Sequence, residues 1–280
     1  MPQLDVNGTT LYYEDTGPPP GPNATGETIV FSHGLLWSTE QFAPQVAALR
    51  TRYRCISWDH RGQGQSAPDA SRNTIGIELV WQDAVALLEK LETGPVHFCG
   101  LSMGGFVAMR TASRRPDLVR SLLLLETSAD PEPTENVPRY RMLVNVVRIG
   151  AIGLVRRRLG PIFLAKSTLS DPTRKADVER FTQIMIARKD AWRAANGVID
   201  RAGIAIELPR INTPALVIVG DEDVATTPAK AQRLVAAIRG AKLVTIPRAG
   251  HSSSVEQPDA VTSAIDQFLG SIRTPARRSN

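Results

Sequence analysis

The run Val96-His97-Phe98-Cys99-Gly100 has strand character and breaks at Gly100, and a helical pattern opens just past Ser102. Between the two lies Gly100-Leu101-Ser102-Met103-Gly104, a serine with glycine two residues before and two residues after it. A strand that turns straight into a helix crowds those flanking positions, so side chains there would clash. The same turn lifts the serine hydroxyl clear of the sheet and aims a helix N-terminus at whatever the serine attacks. The pentapeptide carries meaning only in a strand-turn-helix setting, and the flanking residues supply that setting.

The rest of the chain reads as strands alternating with helices. Leu4–Val6 and Thr9–Glu14 form a hairpin around Asn7-Gly8, the favoured two-residue turn, and the proline-rich segment from Gly17 to Gly26 is a loop. Strands follow at Thr28–Phe31, Arg54–Trp58, Val96–Gly100, Leu118–Leu125, Ala215–Val219 and Lys242–Ile246. Helical spacing covers Thr39–Leu49, Thr74–Leu91, the segment after Ser102, Pro228–Ile238 and Ser254–Leu269. Continuous apolar strands between amphipathic helices specify an α/β class: a mostly parallel, eight-stranded sheet with helices on both faces and an antiparallel hairpin at its start. Thr127 to Pro209 interrupts this alternation with helical pattern throughout, broken at Gly150, Gly160-Pro161 and Asp171-Pro172. The expected organisation is therefore core 1–126, helical cap 127–209, core 210–270 and a basic tail 271–280.

A net charge of +5 invites a nucleic-acid reading, but its distribution argues against one. Thr127 to Pro209 holds 14 Lys/Arg and 9 Asp/Glu and so carries the whole excess, with no nucleic-acid motif beside it. A solvated basic helix surface is the expectation. No apolar run approaches the roughly 18 residues of a membrane helix, and the first residues show no signal-peptide pattern, so a cytoplasmic protein without a membrane partner is expected. Cys55 and Cys99 both fall in strands and read as buried free thiols.

A serine hydroxyl needs a base within hydrogen-bond reach, and the base needs a third group to fix its tautomer. Of four histidines, His251 alone follows the last strand directly, placing it on the carboxyl edge of the sheet with Ser102. His97 lies inside a strand, His60 in a glycine-rich turn and His33 beside a loop after Phe31, all positions that suit structural roles. For the acid, Gly220-Asp221-Glu222-Asp223 follows the strand Ala215–Val219, and Asp221 and Asp223 compete. Glu126, at the end of the preceding strand, is a third candidate. The oxyanion of acyl transfer needs backbone donors already in place, and the amide of Met103 at the helix start is one.

Taken together, these segments resemble the α/β-hydrolase family in its serine-nucleophile branch. Its pattern of glycine, two residues, then the acid selects Asp223 over Asp221. His33-Gly34-Leu35-Leu36 is similar to the family's His-Gly-x segment, which implies the Leu35 amide as the second oxyanion donor. Asp59-His60-Arg61-Gly62-Gln63-Gly64-Gln65-Ser66 is similar to its D-x-R-G-x-G-x-S segment, which braces the loop beneath the site. The resemblance covers Thr28–Leu125 and Ala215–Leu269 and does not extend to the cap. A serine rather than an aspartate at position 102 removes haloalkane dehalogenase and epoxide hydrolase chemistry and leaves esters or lactones, with carbon–carbon bond hydrolysis and perhydrolysis as variants. Such a scheme calls for no metal and no organic cofactor.

The segment from Gly220 to Pro228 looks like the acid region of 3-oxoadipate enol-lactonases and related small esterases. An anionic lactone would need basic groups facing the pocket, and Arg139, Arg141, Arg148 and Arg156-Arg157-Arg158 are available. Leu143, Val144, Val146, Val147, Ile149 and Ile152, however, give the first cap helix an apolar surface. The favoured substrate is accordingly a neutral ester or lactone with an apolar part, with Leu143, Val147 and Trp37 as pocket residues. An enol-lactonase of an anionic lactone is the alternative within the class. A small-ligand receptor with slow hydrolysis is the alternative outside it.

Overall fold

A computed structural model describes residues 2–69, 71–187 and 190–272, and for Ile152 the backbone alone. The sequence-expected basic tail 271–280 therefore falls, from 273 onward, outside the described residues.

The eight strands are β1 (Gln3–Val6), β2 (Thr9–Asp15), β3 (Thr28–Ser32), β4 (Arg54–Trp58), β5 (Val96–Leu101), β6 (Val119–Leu125), β7 (Ala215–Gly220) and β8 (Lys242–Ile246). They form one sheet in the order β1-β2-β4-β3-β5-β6-β7-β8. β1–β2 and β2–β4 pair antiparallel, and every other neighbouring pair is parallel. Side chains alternate across a strand, and here both faces are apolar. Val30, Ile56, Phe98, Leu122, Leu124 and Val217 point into one buried layer. Ile29, Phe31, Cys99, Leu123, Leu125 and Ile218 point into the other. The first layer is closed by α2 (Ile77–Lys90), α3 (Met103–Arg114) and α9 (Pro228–Ala237). The second is closed by α1 (Ala43–Leu49) and α11 (Pro258–Ile272). Cys55 and Cys99 are free and buried.

Between β6 and β7 the chain leaves the sheet and builds α4 (Val137–Arg148), α5 (Ile152–Phe163), α6 (Lys166–Ser170), α7 (Lys175–Ile186) and α8 (Trp192–Ile199). This block has apolar clusters of its own: Leu159, Phe163, Phe181 and Met185 close around Trp37, and Val144 packs with Trp192 and Ile199. Among the described residues, no helix is long and apolar enough to cross a membrane.

Three local expectations need correction. The helix expected to break at Gly160-Pro161 runs on to Phe163 with Pro161 inside it. Proline removes one hydrogen bond, but Val155, Leu159 and Phe163 are buried along the helix and hold the last turn in place. The closing helix expected over Ser254–Leu269 is two pieces, α10 (Ser253–Glu256) and α11. Gln257 adopts φ −132°, ψ 61°, because the residue before a proline is disfavoured in helical geometry. The helix expected from Thr74 begins only at Ile77, since the Ile75 N–H is committed to the Arg193 carbonyl.

Candidate active site

Because β3 to β8 run parallel, every loop that leaves their carboxyl ends opens on one edge of the sheet. Ser102 follows β5, His33–Leu36 follow β3, Glu126 follows β6, Asp223 follows β7 and His251 follows β8. The strand-to-helix turn at Ser102 is tight. Ser102 has φ 51°, a left-handed value rare for a residue with a side chain. A Cβ on Gly100 would lie 2.3 Å from the Gly104 carbonyl oxygen, and one on Gly104 would lie 1.9 Å from that of Ser32. Neither position can hold a side chain. The turn is fastened by the Ser102 N–H donating to Leu125 O at 2.9 Å and the Thr127 hydroxyl donating to Ser102 O at 2.9 Å.

The structure brings Ser102, His251 and Asp223 into one chain of contacts. Ser102 Oγ lies 2.8 Å from His251 Nε2, and His251 Nδ1 lies 2.9 Å from Asp223 Oδ2. Asp223 is buried, yet its pKa is lowered. Burial pushes it up, but His251 and the hydrogen bonds from Thr226 outweigh that push and keep the carboxylate ionised. An ionised carboxylate only accepts, so the imidazole proton sits on Nδ1 and Nε2 is free to accept from the serine. Asp223 Oδ1 also takes the N–H groups of Ala225 and Thr226, at 2.8 and 2.9 Å, and Oδ2 takes the Thr226 hydroxyl at 2.7 Å. Asp221 is exposed, and His251 Nδ1 pairs with Asp223 instead. Glu126 is fully buried, and burial drives its carboxyl well above the usual range, with Asp223 and Glu256 pushing the same way. A carboxyl held neutral there is unsuited to stabilising an imidazolium.

Two backbone donors near this edge are left without a partner among the described residues. The Leu35 and Met103 N–H groups meet no acceptor among the described residues, whereas the Leu36 N–H is taken by Gln63 Oε1 at 2.8 Å. The loop that carries Leu35 is held from beneath by two histidines. His33 accepts from the His60 N–H at 2.9 Å, lies 2.6 Å from Gly34 O through Nδ1, and stacks on His60 with ring centroids 4.0 Å apart. Burial lowers the His33 pKa from 6.5 to about 4. A base with a depressed folded pKa adds stability above its unfolded value and loses it as the pH falls through the folded one. Unfolding free energy should therefore drop by about 3 kcal/mol between pH 6.5 and pH 4 from His33 alone. Urea melts across that range test this, and His33→Gln should flatten the decline; an unchanged slope in the variant would place the source elsewhere.

Above Ser102 lies a cavity of about 150 Å3. Leu143, Val144 and Val147 of α4 line it, as do Val155 and Leu159 of α5 and Leu36 and Phe106 from the core. Among the described residues its Asp, Glu, Lys and Arg lining consists of the buried Arg201 and the half-buried Glu132, paired at 2.9 Å. Trp37 is not a wall of this cavity. Leu36, at φ 67°, turns the chain so that Leu36 faces the cavity, while Trp37 is 2% exposed and packs against Phe181 with ring centroids 5.6 Å apart. The apolar surface expected on the first inserted helix is also narrower than the sequence suggests. Ile149 points to solvent, and the side chain of Ile152 lies outside the described residues. Arg141 and Arg156 are paired with Asp200 and Glu179 away from the cavity.

Sequence reasoning missed four contributors. Thr226 orients Asp223, and the pair Glu132–Arg201 sets the charge of the cavity. Glu256 is the fourth. One of its oxygens accepts the N–H of Gly250 at 2.9 Å and that of Ser252 at 3.3 Å, the neighbours on either side of His251. The other accepts the Ala165 N–H and the Thr168 hydroxyl, both at 2.7 Å, which ties the inserted block to the histidine loop. The available signal was an acidic residue five positions after the histidine in a short serine-rich stretch ahead of a proline. Among the described residues, no group of three or more His, Cys, Asp or Glu side chains converges into a metal site.

The model of the alpha/beta hydrolase family matches residues 29–264. The chain is 28% identical over 254 residues to a putative carbamate hydrolase of Pseudomonas syringae, covering 88% of this chain and 95% of that protein. It superposes on the enol-lactonase of Burkholderia xenovorans with a TM-score of 0.85 at 29% identity, over 96% of this chain and all of that one. A thermophilic esterase from Thermogutta terrifontis gives a TM-score of 0.87 at 28% identity, over 98% of this chain and all of that one.

Proposed function

Since this chain belongs to the alpha/beta hydrolase family, we propose that it is a serine hydrolase that cleaves small, neutral carboxylic esters or lactones through an acyl-enzyme. The observation that carries this reading is the relay Ser102–His251–Asp223, with contacts of 2.8 and 2.9 Å, at the floor of an apolar cavity. Ser102 Oγ attacks the carbonyl carbon as His251 Nε2 takes its proton. Asp223 stabilises the imidazolium, and the Leu35 and Met103 amides receive the oxyanion. The imidazolium then protonates the leaving alkoxide. Water, deprotonated by the same histidine, resolves the acyl-enzyme and frees the acid. The inserted helices act as a cap that forms the roof of the cavity.

A neutral substrate is supported by the lining. An anionic lactone needs a cation without a partner in the pocket, and Arg201 is already neutralised by Glu132. The resemblance to an enol-lactonase structure favours lactone cleavage as the second reading. A carbamate would offer the same serine a carbonyl carbon, and hydrogen peroxide could take the place of water in resolving the acyl-enzyme. A cavity of this volume accepts a molecule about the size of benzene. Across chromogenic esters from acetate to decanoate, kcat/KM should therefore peak at acyl chains of about four to six carbons. A monotonic rise to decanoate would show that the cap opens far more than this cavity does. No turnover on any ester would shift the choice to lactones and then to a receptor.

A further inference from the structure

From Asn136 to Ser170 the chain holds seven Lys and Arg and no Asp or Glu. Two of the seven are neutralised in the fold, Arg141 by Asp200 and Arg156 by Glu179. Arg139, Arg148, Arg157, Arg158 and Lys166 are exposed and form no ion pair among the described residues. Large aliphatic side chains project from the same surface: Ile149 is 80% exposed, Leu154 75% and Met142 49%. On α4 the exposed positions Arg139, Met142, Asn145 and Ile149 recur every three or four residues, and on α5 Leu154, Arg157, Arg158 and Pro161 lie along one side. The two helices are joined by the turn through Gly150 and Ala151, with Ile149 directly before it and Leu154 in the first turn of α5. Leu143, Val144 and Val147 on α4, and Val155 and Leu159 on α5, occupy other faces and line the cavity above Ser102. The aliphatic groups at the turn take no part in either core.

We propose that the α4–α5 hairpin docks on the surface of a lipid bilayer that contains anionic headgroups. Ile149 and Leu154 seat at the acyl boundary, and Arg148, Arg157 and Arg158 pair with the phosphates around them. A hairpin whose own charges are all cationic, five of the seven without an ion pair among the described residues, and which bears aliphatic tips complements that layered chemistry. Binding of single-stranded nucleic acid would call for exposed aromatic rings to stack on the bases, and the exposed large hydrophobics on this surface are all aliphatic. The attachment is peripheral, because no described helix can span the hydrocarbon layer. Neither part suffices alone. Exposed charges are screened beyond about 10 Å at 0.1 M salt, and two aliphatic side chains bury little area.

The test is cosedimentation of the full chain with large vesicles of phosphatidylcholine alone and of phosphatidylcholine mixed with phosphatidylglycerol. The protein should partition onto the mixed vesicles at least about tenfold more strongly than onto the neutral ones. Both Arg157→Glu/Arg158→Glu and Ile149→Ser/Leu154→Ser should lose that preference by about tenfold while keeping the wild-type melting temperature. Ser102→Ala should bind as the wild type does, so the result is independent of hydrolysis. Equal binding to both vesicles, full binding by either double variant, or no binding at all would overturn the proposal. Dimerisation in solution that the Ile149→Ser/Leu154→Ser pair abolishes, without vesicle binding, would assign the face to a second copy and overturn it as well.

Discussion

Ser102→Ala will lower kcat on the best ester by about 10^4- to 10^6-fold and leave the fold as stable as before. The size of the drop follows from what remains. In the proposed scheme the Leu35 and Met103 amides and the apolar cavity would still bind and polarise the carbonyl, but no acyl-enzyme could form. A 10^4-fold loss is about 5.5 kcal/mol of barrier, far more than one ground-state hydrogen bond contributes. The turn should survive because its anchors are backbone groups. The Ser102 N–H still reaches Leu125 O, and Ser102 O still accepts from Thr127 and from the Phe106 N–H at 3.1 Å. Among the described residues, the hydroxyl itself hydrogen-bonds to His251 alone, at 2.8 Å. Melting temperature and the pre-steady-state burst of alcohol release are the two readouts. A variant that retains full turnover would remove Ser102 from the reaction, and loss of both turnover and melting temperature would show a fold defect instead.

The parts of this molecule written as local pattern were legible in its sequence. The strand-turn-helix at Ser102 could be read because glycine at 100 answers to a demand within the turn itself, where a Cβ would lie 2.3 Å from Gly104 O, although the demand at Gly104 comes from Ser32 O on the neighbouring strand, 1.9 Å from where its Cβ would be. The sheet was legible because both of its faces are apolar, so each buried strand appears as a short continuous run. The candidate site was legible as far as chain order and sheet edges go: loops after β5, β7 and β8 must open together once the strands are parallel.

What could not be read was set by contacts distant in sequence. Trp37 looks like a pocket wall because it follows the Leu35 loop. Its side chain is instead captured by Phe181, which lies on an inserted helix 144 positions later. Glu132 and Arg201 are 69 residues apart, and nothing near either one announces that it neutralises the other inside the cavity. Pro161 signals a helix end by propensity, and buried neighbours overrule it. Glu256 has a recognisable place in the sequence, but its role depends on Ala165 and Thr168 arriving from the inserted block. In each case the local rule is sound, and a tertiary contact outweighs it.

The choice of acid can be decided by three substitutions. Asp223→Asn should lower kcat by about 10^4-fold, through the tautomer of His251 rather than through lost charge alone. The N–H groups of Ala225 and Thr226 bind Oδ1 at 2.8 and 2.9 Å, so an asparagine there must turn its carbonyl toward them. Its NH2 then occupies the place of Oδ2, 2.9 Å from His251 Nδ1. A donor in that place forces Nδ1 to accept, which moves the ring proton to Nε2 and leaves Ser102 without a base. Asp221→Asn, on an exposed carboxylate, should change kcat by less than about twofold. Glu126→Gln should also leave kcat within a few-fold, because burial already keeps that carboxyl neutral. It should alter stability instead. A carboxyl whose folded pKa is raised stabilises the fold below its ordinary value of 4.5 and loses that contribution as the pH rises through the folded value. Glutamine cannot ionise, so the variant should resist unfolding better than the wild type toward alkaline pH. If Glu126→Gln instead abolished turnover and Asp223→Asn were mild, the acid would lie at the end of β6, and the 2.9 Å contact between Asp223 and His251 would be structural.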